Sequence, residues 1–191
     1  MNSREAVGDT AVAGEQPGMW TRQGPYELSW DDLKEVLDRI VEAVRADGFT
    51  PGAVLGVARG GLLAASYLTC ALDVPVMHTV RVRRTRDDSQ YAAKRPPLLE
   101  QEGPAPVFTG PVLVVDDIVG TGATWDVVRS HLSAAGVAAA DVRFASLVRN
   151  HRCGHVPDYC PAVVDDWVVF PWEQGWGRTP GVRPFPLGEA G

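Results

Sequence analysis

Residues 112–124 read VLVVDDIVGTGAT: four consecutive apolar residues, two adjacent acids, two more apolar residues, and a turn rich in glycine and threonine. Such a run leaves few folds open. A strand that is apolar at every position is buried on both faces, as in a parallel sheet covered by helices on each side. In sheets of that kind, ligands bind beyond the carboxyl ends of the strands. The helix that follows offers free N–H groups and the positive end of its dipole, which suits a phosphate. Gly120 and Gly122 let the backbone close around that phosphate, Ala123 is small, and Thr121 and Thr124 add hydroxyl donors. Asp116 and Asp117 stand beside this anion site. A phosphate would repel them, so they make sense as acceptors of hydrogen bonds from sugar hydroxyls. No lysine follows the glycines, so the turn is not a Walker loop.

The rest of the chain alternates in the same way. Ser29 caps a helix, with Asp32 three residues on as in a capping box, and Leu33, Val36, Leu37, Ile40, Val41 and Val44 recur at helical spacing. Gly48 and Pro51 end it. Ala53–Ala58 (AVLGVA) is a short apolar strand, and an Ala/Leu-rich helix follows to about Leu72. Between them stand Arg59, Gly60 and Gly61, which join planar guanidinium donors to exposed backbone N–H groups. Residues 74–82 predict a strand, 121–135 a helix, 142–148 a strand, and 162–170 one or two more. Residues 83–110 are polar and lack any period, which in a compact domain marks a functional or mobile segment. Strands alternating with helices predict an α/β fold with a mostly parallel twisted sheet flanked by helices. Residues 1–25 read as a mobile extension, 26–178 as the domain and 179–191 as a loose tail.

Composition narrows the function. A chain of 191 residues with a net charge of −6 is an unsuitable general partner for nucleic acid. No apolar run approaches the roughly 18 residues of a membrane span, so no membrane is expected. Three cysteines, Cys70, Cys153 and Cys160, with no signal-like segment at the start, point to the cytoplasm. His151, Cys153, His155 and Cys160 lie close together, but their spacing fits no standard finger, and no zinc site is expected.

The 112–124 segment resembles the phosphoribosyl pyrophosphate (PRPP) signature of type I phosphoribosyltransferases. That resemblance implies the fold of the family, with a flexible loop and a small hood at about 149–178. It implies transfer of ribose 5-phosphate from PRPP to a nitrogenous base with release of pyrophosphate. Asp116 and Asp117 would hold the ribose hydroxyls, with Mg2+ nearby bound through PRPP. Gly120, Thr121, Gly122, Ala123 and Thr124 would wrap the 5-phosphate. Residues 56–62, GVARGGL, resemble the pyrophosphate loop, with a cis peptide at Ala58–Arg59 ahead of Gly60 and Gly61. Arg81, Arg83, Arg84 and Arg86 follow the next strand, and alternate ones would share a face toward pyrophosphate. The loop closing over the ribose would work through Ser89, Gln90 and Tyr91.

Residues 167–173, WVVFPWE, are similar to the hood of bacterial and archaeal 6-oxopurine enzymes, where Trp167 would stack on the base and the Val168 backbone would read its edge. Two positions depart from those enzymes. Gly120 stands where many carry an acid facing purine N7, and where they use a lysine against the 6-oxo group either Arg149 or Asn150 serves or nothing does. The acceptor is therefore a purine or a purine-like base, with a 7-deazapurine or another specialised acceptor as the alternative. A non-catalytic PRPP-sensing regulator is the alternative of another class. The resemblance also implies a homo-oligomer, dimer or tetramer.

Overall fold

The computed structural model of the chain describes residues 19–84, 96–100, 106–173 and 181–187. In chain order its elements are β1 (Tyr26–Glu27), α1 (Trp30–Ala46), β2 (Ala53–Ala58), α2 (Gly61–Ala71), β3 (Met77–Arg83) and β4 (Leu98–Glu100). There follow β5 (Val112–Val119), α3 (Ala123–Ala134), β6 (Val142–Asn150), β7 (Ala162–Val164), β8 (Val168–Val169) and β9 (Arg183–Pro184).

The main sheet has six strands in the order β4-β3-β2-β5-β6-β7. All its pairings are parallel except β3 with β4. Because side chains alternate across a strand, each central strand feeds two cores. Val54, Leu113, Val115 and Leu147 pack with α1 and α2 on one face. Leu55, Val57, Val114 and Phe144 pack with Trp125, Val128 and Leu132 of α3 on the other. Helix α1 starts as its sequence predicts: the Ser29 side chain accepts from Asp32 N, and the Asp32 carboxylate accepts from Ser29 N.

From β2 the chain moves outward through β3 and β4, then returns to the other side of β2 as β5. The order reverses between β2 and β5. A crevice therefore opens at their carboxyl ends, because the connections leaving the two strands diverge.

The boundaries differ from the sequence reading in places. β5 continues through both acids to Val119, and β6 runs to Asn150. A larger difference lies at the two ends of the chain. Residues 19–25 are not loose: Met19 and Trp20 are buried, and Thr21 N donates to Asp165 O at 3.0 Å. Residues 183–184, expected in a loose tail, form β9. A small parallel sheet, β8-β1-β9, joins β1 and β9 to the hood strand β8. Two-residue strands show no hydrophobic period, so nothing in the local pattern marks them. Among the described residues, no helix is long and apolar enough to cross a membrane.

Candidate active site

The crevice encloses a cavity of about 260 Å³. Its floor is the junction of β2 and β5. The Ala58–Arg59 peptide is cis, and the chain turns there into Gly60 and α2. This turn lies directly against the two acids. A β-carbon on Gly60 would overlap the Asp117 carboxylate, and one on Gly61 would lie 2.5 Å from Val115 O and 2.9 Å from Asp116 Cα. Only residues without a side chain let the two turns approach this closely.

The acids differ in setting. Asp117 is half-exposed to the cavity, and its Oδ1 accepts from Ile118 N at 2.7 Å. Asp116 is buried, and its Oδ1 accepts from Asp117 N at 3.0 Å. Burial pushes the Asp116 carboxyl well above the usual carboxylate range, and the neighbouring negative charge of Asp117 pushes it further.

Gly122 has a φ of 83°, a left-handed conformation that caps the start of α3. The His155 ring lies where a Gly122 side chain would be, and its Nε2 is 3.1 Å from Asp126 Oδ1. Gly120, Gly122 and Thr124 all line the cavity. Thr121 is held from across it: Arg84 Nη1 donates to Thr121 Oγ1 at 2.6 Å. Arg84 therefore reaches the loop of residues 120–124 and lines the same cavity as Arg59. Arg83, also expected there, points away. It pairs with Glu100 at 2.6 Å on the edge formed by β3 and β4, where Arg81 reaches the same carboxylate at 3.5 Å. Adjacent strand residues face opposite sides, so only one of Arg83 and Arg84 can enter the cavity. Arg86, Ser89, Gln90 and Tyr91 lie outside the described residues.

Trp167, Val168, Phe170 and Glu173 also line the cavity. Trp167 is half-exposed, and its N–H donates to Asp166 Oδ1 at 2.7 Å. Phe170 stacks on Trp172 with centroids 4.7 Å apart and planes 7° apart. Glu173 Oε2 accepts from Phe170 N at 3.1 Å, fixing the turn after β8. Trp20 lines the cavity too, although the sequence offered no reason to look there.

Arg149 and Asn150, expected near the base, do not line the cavity. Asn150 is wholly buried, its Nδ2 donating to Met19 O at 2.8 Å and its Oδ1 accepting from Arg152 N at 2.9 Å. Both ends of its amide are used within the fold. Arg149 turns to Cys153 O at 3.4 Å. The four residues considered for zinc are dispersed in use: Cys160 Sγ donates to Ala162 O at 3.3 Å, and His151 Nε2 accepts from Arg152 Nε at 3.2 Å. Among the described residues, no group of three or more His, Cys, Asp or Glu is placed to hold a metal ion.

A mostly parallel sheet whose switch point joins a glycine-capped loop, a paired acid and an Arg-Gly-Gly turn is an α/β architecture of the type I phosphoribosyltransferase fold. The chain belongs to the family described as the phosphoribosyl transferase domain, whose profile matches residues 29–177. It is accordingly an enzyme of the pentosyltransferase class. Among its relatives, the xanthine-guanine phosphoribosyltransferase of Cereibacter sphaeroides is 28% identical over 157 residues, covering 78% of this chain and 86% of the relative. That of Ruegeria sp. is 25% identical over 172 residues, covering 85% and 93%. Among solved structures, the purine phosphoribosyltransferase of Pyrococcus horikoshii superposes with a TM-score of 0.66 at 28% identity, covering 78% of this chain and 95% of that one. The Helicobacter pylori xanthine-guanine-hypoxanthine enzyme, at 20% identity and a TM-score of 0.65, shares the fold, covering 79% of this chain and 95% of that one.

Proposed function

We propose that this chain transfers ribose 5-phosphate from PRPP to a purine or purine-like base and releases pyrophosphate. The observation that carries the reading is the interlock of Gly60 with Asp117. It sets the Arg59 turn against the paired acids within one cavity that also holds the 120–124 loop and Trp167. A molecule with a phosphate at one end, vicinal hydroxyls in the middle and a second anionic group spans those three features. Purine transfer also accords with the relatives, which are named for xanthine, guanine or purine.

Each residue has a task in that reaction. The backbone of residues 120–124, helped by Arg84 through Thr121, grips the 5-phosphate. Asp116 and Asp117 orient the ribose hydroxyls. Arg59 and the N–H groups of Gly60 and Gly61 receive the charge that develops as pyrophosphate leaves C1. Trp167 holds the base flat over the opposite face of the sugar, so that a ring nitrogen attacks the cationic carbon in line. Phe170 and Val168 exclude water, which would otherwise capture that carbon. No covalent intermediate with the protein is needed.

The junction also fits a magnesium ion. Its half-exposed acidic donor, the Asp117 carboxylate, is a hard oxygen ligand suited to Mg2+ carried in on its substrate, with Asp116 beside it. When bound, the ion neutralises charge on pyrophosphate. The test is pyrophosphate release from PRPP and Mg2+ with guanine, hypoxanthine, xanthine and adenine in turn. Base-dependent release is expected; none with any base would overturn the reading.

A further inference from the structure

We propose that Trp20 is a specificity-determining wall of the acceptor site, supplied from outside the family domain. The inference rests on the purine-transfer reading above. Trp20 precedes the first residue matched by the family profile, Ser29. It is nonetheless 7% exposed and lines the same cavity as Trp167. The two indoles meet edge to face, with centroids 5.9 Å apart and planes at 63°. That geometry is favourable for aromatic pairs and sets one ring across the border of the other.

The position of Trp20 is fixed from both sides. Met19 O accepts from the buried Asn150 side chain at 2.8 Å. Thr21 Oγ1 and Gly24 N each donate to Asp166 Oδ2 at 3.2 Å. The other oxygen of the same carboxylate accepts from Trp167 N at 2.7 Å. Asp166 is wholly buried, so one carboxylate ties the segment bearing Trp20 to the backbone of Trp167. Arg183, beyond the last residue of the profile match, approaches Asp165 at 2.9 Å and Asp166 at 3.6 Å. Residues flanking the profile match on both sides thus converge on one clamp behind the acceptor site.

A flat base lying on Trp167 meets Trp20 at its rim. Trp20 then adds apolar contact to the base and limits how far a ring substituent can extend. The 5-phosphate and the pyrophosphate fall to residues 120–124 and 59–61 in this reading, not to Trp20.

The experiment compares wild type with Trp20→Ala and Trp20→Phe. Calorimetry measures Kd for GMP and for ribose 5-phosphate; steady-state assays measure KM for guanine and for PRPP. For Trp20→Ala, we expect a rise of roughly tenfold or more in the GMP Kd and the guanine KM, the scale of one base–aromatic contact. Ribose 5-phosphate and PRPP should be unaffected, and Trp20→Phe should recover most of the loss. Equal weakening of GMP and ribose 5-phosphate would reduce Trp20 to a structural role and overturn the proposal, as would an unchanged GMP Kd. If wild type binds GMP through Trp20 but releases no pyrophosphate with any base, the transfer reading fails while the wall stands.

Discussion

The Asp117 carboxylate occupies the place of a Gly60 side chain. The Arg59-Gly60-Gly61 turn and the paired acids are therefore one structural unit, and a methyl group at either glycine tests it differently. A methyl on Gly60 meets the far end of a side chain, which can swing away. Gly60→Ala is expected to fold, with a melting temperature within a few degrees of wild type, yet to lose at least about a hundredfold in kcat/KM as Asp117 leaves the ribose. A methyl on Gly61 meets the backbone of Val115 and Asp116. Gly61→Ala should therefore destabilise the protein by more than 1 kcal/mol, on the order of a typical overpacked core site. Thermal melts and steady-state kinetics on both variants separate the two outcomes.

Asp116 carries a pH signature. Burial, and then the charge of Asp117, raise its pKa in the folded chain above the unfolded value of about 4. Between those two values the folded state holds a proton that the unfolded state has lost, so stability falls as pH rises through that window. Asp116→Asn removes the titration. The variant should melt higher than wild type at pH 7, and the advantage should shrink as pH falls toward 4. Combined with Asp117→Asn it should abolish transfer while the fold remains. A double variant with near-normal turnover would remove the acids from the reaction.

Arg59 and Arg84 should separate by ligand. Arg59 stands at the turn assigned to pyrophosphate, whereas Arg84 reaches Thr121 in the loop assigned to the 5-phosphate. PRPP has both groups and the nucleotide product only the second. Arg59→Ala should weaken PRPP far more than the product. Arg84→Ala should weaken the two alike, each by roughly 10–150-fold for one lost charged hydrogen bond. Calorimetric titrations with PRPP and with GMP decide it; identical ligand profiles for the two variants would contradict the division.

The reading of Arg84 shows where sequence stops. A strand pattern states that neighbouring arginines face opposite ways, but not which one enters the cavity. That was settled by Glu100, which pairs with Arg83 across β3 and β4 from a segment with no sequence period. The central elements were legible because each carries its own signal: the capping box of α1, the apolar run of β5, the glycines at each turn. Asn150 was misplaced because a polar residue near the end of a strand reads as site-facing. In the fold it satisfies Met19 O, 131 positions away. Trp20 was missed for the same reason: its anchor is the distant Asp166, and long-range pairing by two-residue strands leaves no local trace.

Gly120 leads to the last expectation. It is buried at the end of β5 and lines the cavity without a side chain. In many of the 6-oxopurine enzymes that this sequence resembles, an acid at that place faces N7 of the purine and can assist a proton there. A base with carbon in place of N7 has no need of that contact, and Gly120 leaves no polar side chain unpaired beside it. One hydrogen bond to a charged partner is worth about 1.5–3 kcal/mol, or roughly 10–150-fold in rate. Wild type should therefore discriminate less against 7-deazaguanine than Gly120→Asp does. The measurement is kcat/KM for guanine and for 7-deazaguanine in both proteins, with the ratio of the two compared. A selectivity for guanine that rises by about tenfold or more in Gly120→Asp is the expected result. A wild type that already strongly prefers guanine would show that another group serves N7, and that the missing acid does not open the site to deazapurines.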